Sequence, residues 1–320
     1  MKDDINSRQK RVLAIHDISC VGRCSLTVAL PILSAAGFDT AVLPTALLST
    51  HTGGFSGFVY RDLADLIDPI SEHWQSLGLR FDAIYSGFLG SAAQIGHIER
   101  LFDAFKSDGA ANDPGRSAPA DGARQAGPRG PDTLVMVDPV MADNGELYSV
   151  FTPQMAEGMT GLCAKADIVV PNLTETAFLL GEPYIGDSYI GNSYCGGSYD
   201  RPYIEDRLRA LCALGAGRAV ITGVSFERGS LGAAAYDART GEVFYAFGER
   251  VDGVFHGTGD IFGSALLSAL LNGFGFGESL RIAVDYTLEC IKATPPWQER
   301  RYGVCFERAL PKLIGSLRLS

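Results

Sequence analysis

Along the chain, short uninterrupted apolar runs alternate with stretches whose apolar positions recur at helical spacing. Residues 11–15, 40–44, 83–86, 134–137, 168–170 and 219–222 read as strands, and residues 25–36, 92–105 and 203–214 read as helices between them. Strands apolar at successive positions, separated by amphipathic helices, predict a mostly parallel central sheet covered on both faces, a three-layer α/β/α arrangement. Residues 231–236 and 243–247, joined by Asp237-Ala238-Arg239-Thr240-Gly241-Glu242, predict an antiparallel hairpin at the sheet edge. In such sheets ligands sit beyond the carboxyl ends of the strands, so motifs just after strand ends carry the most weight.

Two segments interrupt this rhythm. Residues 107–131 are rich in Ala, Gly, Pro, Asp and Arg and predict a surface loop. Within residues 184–202, Tyr184-Ile185-Gly186-Asp187-Ser188, Tyr189-Ile190-Gly191-Asn192-Ser193 and Tyr194-Cys195-Gly196-Gly197-Ser198 are three tandem repeats, too few and too short for a solenoid. We therefore expect a polar tail over residues 1–10 and a single domain over 11–318 with low-complexity inserts at about 107–131 and 184–202.

With 46% hydrophobic residues in 320, the chain can bury a large core. A net charge of −10 leaves no basic footprint for nucleic acid or an anionic membrane, so neither is expected as a partner. No apolar signal segment precedes Arg11 and the cysteine count is seven, an odd number without framework spacing, which predicts reduced thiols and a cytoplasmic location. His16, Cys20 and Cys24 fall four apart, but a strand before a Gly22 turn does not stack them as metal ligands.

The strongest motif is Gly257-Thr258-Gly259-Asp260, running into an apolar helical stretch that stops at Asn272-Gly273. Backbone N–H groups of Gly257, Thr258 and Gly259 at a helix N-terminus would cradle an anion. Asp260 at its mouth is placed to take a proton from a hydroxyl attacking a bound phosphorus. After the second strand, Ser49-Thr50-His51-Thr52-Gly53-Gly54 suits gripping a small polar ring, although a flexible polar loop has the same composition. Asp138 and Asp143 follow a strand end, where carboxylates suit Mg²⁺ or its water shell. Pro171-Asn172-Leu173-Thr174-Glu175 ends a strand and opens a helix, and a capping arrangement alone accounts for Asn172 and Glu175. Together these parts match Mg·ATP-dependent phosphorylation of an alcohol.

In this order, and with Tyr85-Ser86-Gly87-Phe88-Leu89-Gly90-Ser91 and Asp138-Pro139-Val140-Met141, the motifs resemble the pyridoxal/pyridoxamine kinases of the ribokinase superfamily over nearly the whole chain. The resemblance implies a ribokinase-like fold and transfer of phosphate from ATP to the 5′-hydroxymethyl group of a B6 vitamer, a salvage step towards pyridoxal 5′-phosphate. It implies Asp260 as general base with Gly257, Thr258 and Gly259 as anion hole. His51, Thr52, Phe88 and Tyr148 would contact the vitamer, with Asp17 standing where the family has serine and Ser19 two residues on. Asp138, Asp143, Asn172, Glu175, Thr222, Arg250 and Val251 would serve ATP, with Mg²⁺ at Asp138 and Glu175. A monovalent cation such as K⁺ and a homodimer are further expectations of the resemblance. An ionised Asp17 would favour pyridoxamine over pyridoxal.

Three rivals stay open. A hydroxymethylpyrimidine (phosphate) kinase of thiamine synthesis shares several motifs but usually carries Cys where this chain has Asp260. A sugar or nucleoside kinase usually carries Gly-Gly near its first strand, which Gly22-Arg23 does not match. A nucleotide-dependent NAD(P)H-hydrate dehydratase uses the same architecture for different chemistry.

Overall fold

The computed structural model describes residues 8–106, 133–190 and 193–319, so the insert expected at 107–131 lies outside the described residues. Nine strands form one sheet in the order β13-β12-β11-β8-β5-β4-β1-β2-β3. They are β1 (Arg11–Ser19), β2 (Asp39–Leu48), β3 (Tyr60–Asp62), β4 (Ala83–Ser86), β5 (Leu134–Val137), β8 (Ile168–Val169), β11 (Arg218–Val224), β12 (Ser230–Asp237) and β13 (Glu242–Glu249). The six strands from β11 to β2 run parallel, and the expected hairpin of β12 and β13 forms one antiparallel edge. The opposite edge is antiparallel too, because β3 pairs with β2; its three residues, Tyr60-Arg61-Asp62, give no apolar run by which to predict it.

Strand β1 is buried along nearly its whole length, and its alternate side chains enter two different cores. Val12 and Ala14 join a cluster with helices α1 (Leu26–Ala35), α7 (Thr258–Leu271), α8 (Phe276–Ala293) and α9 (Leu310–Ser316). Leu13 and Ile15 join another with α2 (Ala64–Ser76), α3 (Ala92–Lys106), α4 (Pro153–Ala164), α5 (Leu173–Leu180) and α6 (Arg201–Ala213). Helix α2 escapes the sequence pattern because only Ile67 and Ser71 of it are buried and Pro69 interrupts it. Small hairpins complete the description: β6 (Ala142–Asp143) with β7 (Glu146–Leu147), and β9 (Asp187–Ile190) with β10 (Ser193–Gly197). The latter forms within the tandem repeats, where the sequence alone suggested only a loop.

From β1 the chain passes through α1 to β2 on one side, then returns to β4 on the other, leaving a crevice beyond the carboxyl ends of β1 and β4. Among the described residues no helix is long and apolar enough to cross a membrane. Cys20, Cys24, Cys163, Cys212, Cys290 and Cys305 are free thiols.

Candidate active site

Helix α7 begins in this crevice with Gly257 as its N-cap at φ 79°. A side chain there would bring Cβ within 2.0 Å of the Arg23 carbonyl oxygen, so only glycine lets this turn pack on the loop after β1. The first-turn N–H groups that follow have no carbonyl of their own helix to bond and face the anion-holding end of the dipole. Thr258 turns its hydroxyl back to the Phe255 carbonyl at 3.2 Å, which tightens the turn instead of entering the cradle.

Asp260, in the first turn, accepts the Ser25 N–H at its Oδ2, 2.8 Å away, and its Oδ1 lies 3.7 Å from Nδ1 of the fully buried His16. Burial pushes the Asp260 carboxyl up to about 7; the Ser25 N–H opposes this, and the nearby Asp17 charge adds to it. That value suits a proton acceptor working near neutrality. Burial also drives His16 down to about 3, so its ring is neutral beside the carboxyl, edge-on to Tyr85 with centroids 4.4 Å apart.

Asp138, just past β5, is buried, and its nearest backbone donor is the Val140 N–H at a long 3.4 Å. Burial, then the charges of Glu175 and Asp260, hold its carboxyl well above the usual range. Its Oδ2 would lie 3.8 Å from a Cβ placed on Gly259, so this acid borders the anion turn. Glu175 is differently placed. Together with Asn172 it forms the capping box of α5: the Asn172 side chain accepts the Glu175 N–H at 2.9 Å, and Glu175 Oε2 accepts the Asn172 N–H at 2.8 Å. Glu175 Oε1 accepts the Met141 N–H at 2.9 Å, and the Ala142 N–H also bonds this carboxylate. Both Glu175 oxygens therefore accept backbone N–H groups, and the side chain ties the Asp138–Ala142 loop to α5. Burial still raises its carboxyl to about 7 against those N–H bonds. Among the described residues no three His, Cys, Asp or Glu side chains are gathered to hold a metal ion.

The other expected site residues divide sharply. Tyr148, at 37% exposure, follows the β6–β7 hairpin, and its phenol is raised by burial first and then by Glu175, Asp143, Asp138 and Asp260, so it overlooks the acids. Asp143 is exposed on that hairpin and accepts the Asn144 N–H at 2.9 Å. Thr222 forms a bridge with Asn172, which puts it at the same strand ends. Arg250 and Val251 follow β13, whose direction matches β11, so they lie on the same side of the sheet; Arg250 Nε is 3.8 Å from Asp252.

Three expected vitamer contacts are placed otherwise. His51 donates from Nε2 to the Arg301 carbonyl at 2.6 Å, because Nδ1 already accepts the Gly53 N–H at 3.2 Å. Its ring braces the loop instead of offering a polar atom, while Thr52 beside it remains partly exposed. Phe88 is packed in the core, edge-on to Phe151 with centroids 6.0 Å apart. Asp17 accepts the hydroxyls of Ser25 at 2.5 Å and Ser19 at 3.0 Å, so both residues named there turn towards each other. Burial, opposed by those hydroxyls, raises the Asp17 carboxyl above the usual range.

His16 and Ser25 had no place in the site expected from sequence. His16 hides in an apolar strand, and Ser25 reads as an ordinary helix start; the nearest signal was the sequence Gly22-Arg23-Cys24-Ser25 leading into α1.

A family profile described as phosphomethylpyrimidine kinase matches residues 129–304. A candidate phosphomethylpyrimidine kinase of Bacteroides thetaiotaomicron, crystallised with pyridoxal, superposes with a TM-score of 0.81 at 34% identity, covering 96% of each chain. Pyridoxal kinase from Lactobacillus plantarum superposes with a TM-score of 0.77 at 29% identity, covering 97% of this chain and 98% of that one. Among curated relatives, the thiamine biosynthesis multifunctional protein ThiED of Corynebacterium efficiens is 30% identical over 54% of this chain and 20% of its own length. Pyridoxal kinase PdxY of Actinobacillus pleuropneumoniae is 28% identical over 54% of each chain, so the match spans about half the length of that relative.

Proposed function

The chain belongs to the phosphomethylpyrimidine kinase family, and from that premise we propose that it phosphorylates the 5′-hydroxymethyl group of a B6 vitamer from ATP. The observation that carries this reading is the largely but not fully buried Asp260 carboxyl at the first turn of α7, one oxygen held by the Ser25 N–H and the other 3.7 Å from the His16 ring of β1. Supporting it, a relative of 34% identity was crystallised with pyridoxal, and full-length structural neighbours include a pyridoxal kinase.

In this mechanism the N–H groups of the Gly257 turn hold the transferring phosphate. Asp260 accepts the proton of the attacking hydroxyl through Oδ1, and the Ser25 N–H keeps Oδ2 out of the way. Asp138 fits a hydrated divalent cation, since it is buried, weakly hydrogen-bonded and crowded by acids. Mg²⁺ there would neutralise polyphosphate charge. Glu175 and Asn172 fix the loop that presents Asp138. Tyr148 shields the acids from bulk water.

Hydroxymethylpyrimidine as acceptor is the second reading, favoured by the family description and by the thiamine-related relative. Release of ADP measured over pyridoxal, pyridoxine, pyridoxamine and hydroxymethylpyrimidine separates the two. Turnover of hydroxymethylpyrimidine with none of the B6 vitamers would overturn the first reading.

A further inference from the structure

Ser25 is the N-cap of α1, yet its side chain caps nothing. A serine in that position ordinarily accepts an N–H of the helix's first turn. Here the hydroxyl turns away and donates to Asp17 at 2.5 Å, while the backbone N–H donates to Asp260 at 2.8 Å. Its carbonyl accepts the N–H groups of Val28 and Ala29 at 3.0 and 2.9 Å. Every polar group of this buried residue is committed, two of them to different carboxylates.

The backbone is forced to make this possible. Ser25 sits at φ 57° and ψ −132°, a region that non-glycine residues rarely adopt. The non-glycine residues with positive φ among the described residues are Ser25, Val140, Asn144 and Arg318. Val140 lies in the loop that follows Asp138, whereas Asn144 sits in the turn of the β6–β7 hairpin. A turn with no task beyond reversing the chain would be satisfied by glycine; serine at this φ needs its hydroxyl to be used.

We propose that Ser25 is the positioning residue of the phosphoryl-transfer base, holding Asp260 with its N–H and Asp17 with its hydroxyl so that Asp260 Oδ1 alone is left for the acceptor. Asp17 then acts through Ser25. Its other oxygen accepts the Ser19 hydroxyl at 3.0 Å, so both of its oxygens are engaged by serine hydroxyls. The inference rests on Asp260 being the base, but not on which alcohol is phosphorylated.

The test uses the full chain carrying Ser25→Gly, Asp17→Asn, both together, and Asp260→Asn as the floor. The acceptor is whichever of the three B6 vitamers or hydroxymethylpyrimidine the parent phosphorylates fastest, so failure of the vitamer reading changes the acceptor and leaves this test standing. Glycine suits the φ and keeps the N–H to Asp260, so Ser25→Gly should melt no lower than the parent. Its kcat should fall about tenfold while the KM for ATP stays within about twofold, and Asp17→Asn should behave alike. The double variant should be no slower than the slower single, because both break one linkage. Ser25→Ala, which also lacks the hydroxyl, provides the same readout should the glycine variant fold poorly. Parental kcat in Ser25→Gly would overturn the inference, as would losses that multiply in the double variant or a change confined to the KM for ATP. Parental kcat in Asp260→Asn would instead remove the base assignment beneath it.

Discussion

The two ends of the central sheet treat the same side chain in opposite ways. At the amino ends of the strands, Asp82 accepts the Arg8 guanidinium at 2.7 Å and the Arg11 N–H at 2.7 Å. Asp167 accepts Lys106 at 2.9 Å and the Val135 N–H at 2.8 Å, and Asp237 accepts Arg218 at 2.8 Å and the Arg239 N–H at 2.9 Å. Each joins an element start to a neighbour, with a cation beside it. At the carboxyl ends Asp17, Asp138 and Glu175 are buried and Asp260 is largely so, with hydroxyl, backbone or histidine neighbours, and among the described residues none pairs with Lys or Arg. Acids that serve architecture come with their countercharge; the acids in the crevice are held ready for a charge that arrives with the ligands.

Breaking the crevice side should have the largest effect. Asp260→Asn keeps the shape and removes the proton acceptor, so kcat should drop by about two to four orders of magnitude while ATP affinity measured by calorimetry stays within about threefold. Turnover near the parent's would return Asp260 to a purely structural role. The same variant should melt higher than the parent at alkaline pH. A carboxyl raised to about 7 contributes stability fully below the ordinary carboxylate range and loses it as pH rises through about 7. The melting gap should therefore widen between about pH 4 and 7 and stay open above, by an amount on the order of 1–4 kcal/mol. Parent kcat should rise as pH passes through about 7, since Asp260 must be ionised to accept the proton. A flat profile over that range would count against the base.

Asp138 and Glu175 sharpen the contrast within the crevice itself. With its weak hydrogen bonding, Asp138 is the side chain available to a hydrated cation, whereas Glu175 has both oxygens on backbone N–H groups. Asp138→Asn should raise the Mg²⁺ concentration for half-maximal turnover about tenfold, more than it changes the KM for the vitamer. Glu175→Gln should act more weakly on Mg²⁺ and mainly lower the melting temperature, because it loosens the capping box. Equal Mg²⁺ shifts in both would mean that Glu175 reaches the cation after all.

Much of this division was legible in the sequence, and the reason differs by element. Strands β1, β4, β5 and β11 announce themselves because burial on both faces gives each a run of three or more successive apolar residues. The capping box of Asn172 and Glu175 is a local motif, readable from four residues. The β3 edge and α2 are not, since their pairing and packing come from distant partners and leave little periodicity. The motif at Gly257 to Asp260 located the crevice, but sequence spacing could not say that Asp17 faces Ser25 instead of a ring, or that His51 spends both nitrogens on the Gly53 N–H and the Arg301 carbonyl. Side-chain direction at strand ends depends on turns such as the one holding Ser25 at positive φ, and no pattern of residue types encodes that.

The smallest expected effect tests the quiet end of the sheet. Asp237 is nearly buried, yet its carboxyl lies below the usual range: burial alone would raise it, but the Arg218 guanidinium and the Arg239 N–H outweigh that. Its contribution to stability is thus present above the ordinary carboxylate pKa and lost as pH falls through the depressed value, opposite in sign to that of Asp260. Asp237→Asn should lower stability at neutral pH by about 1–3 kcal/mol, the usual worth of a hydrogen bond to a charged group, with kcat and both KM values unchanged. The deficit should shrink on acidification, when the parent loses the same charge. Because Asp237 ends β12 and Thr222, an expected ATP contact, pairs with Ala233 of that strand, a fall in kcat here would mean that strand register passes strain from one end of the sheet to the other. The separation between architectural and reactive acids would then be one of degree, set by how rigidly β11 and β12 hold their register.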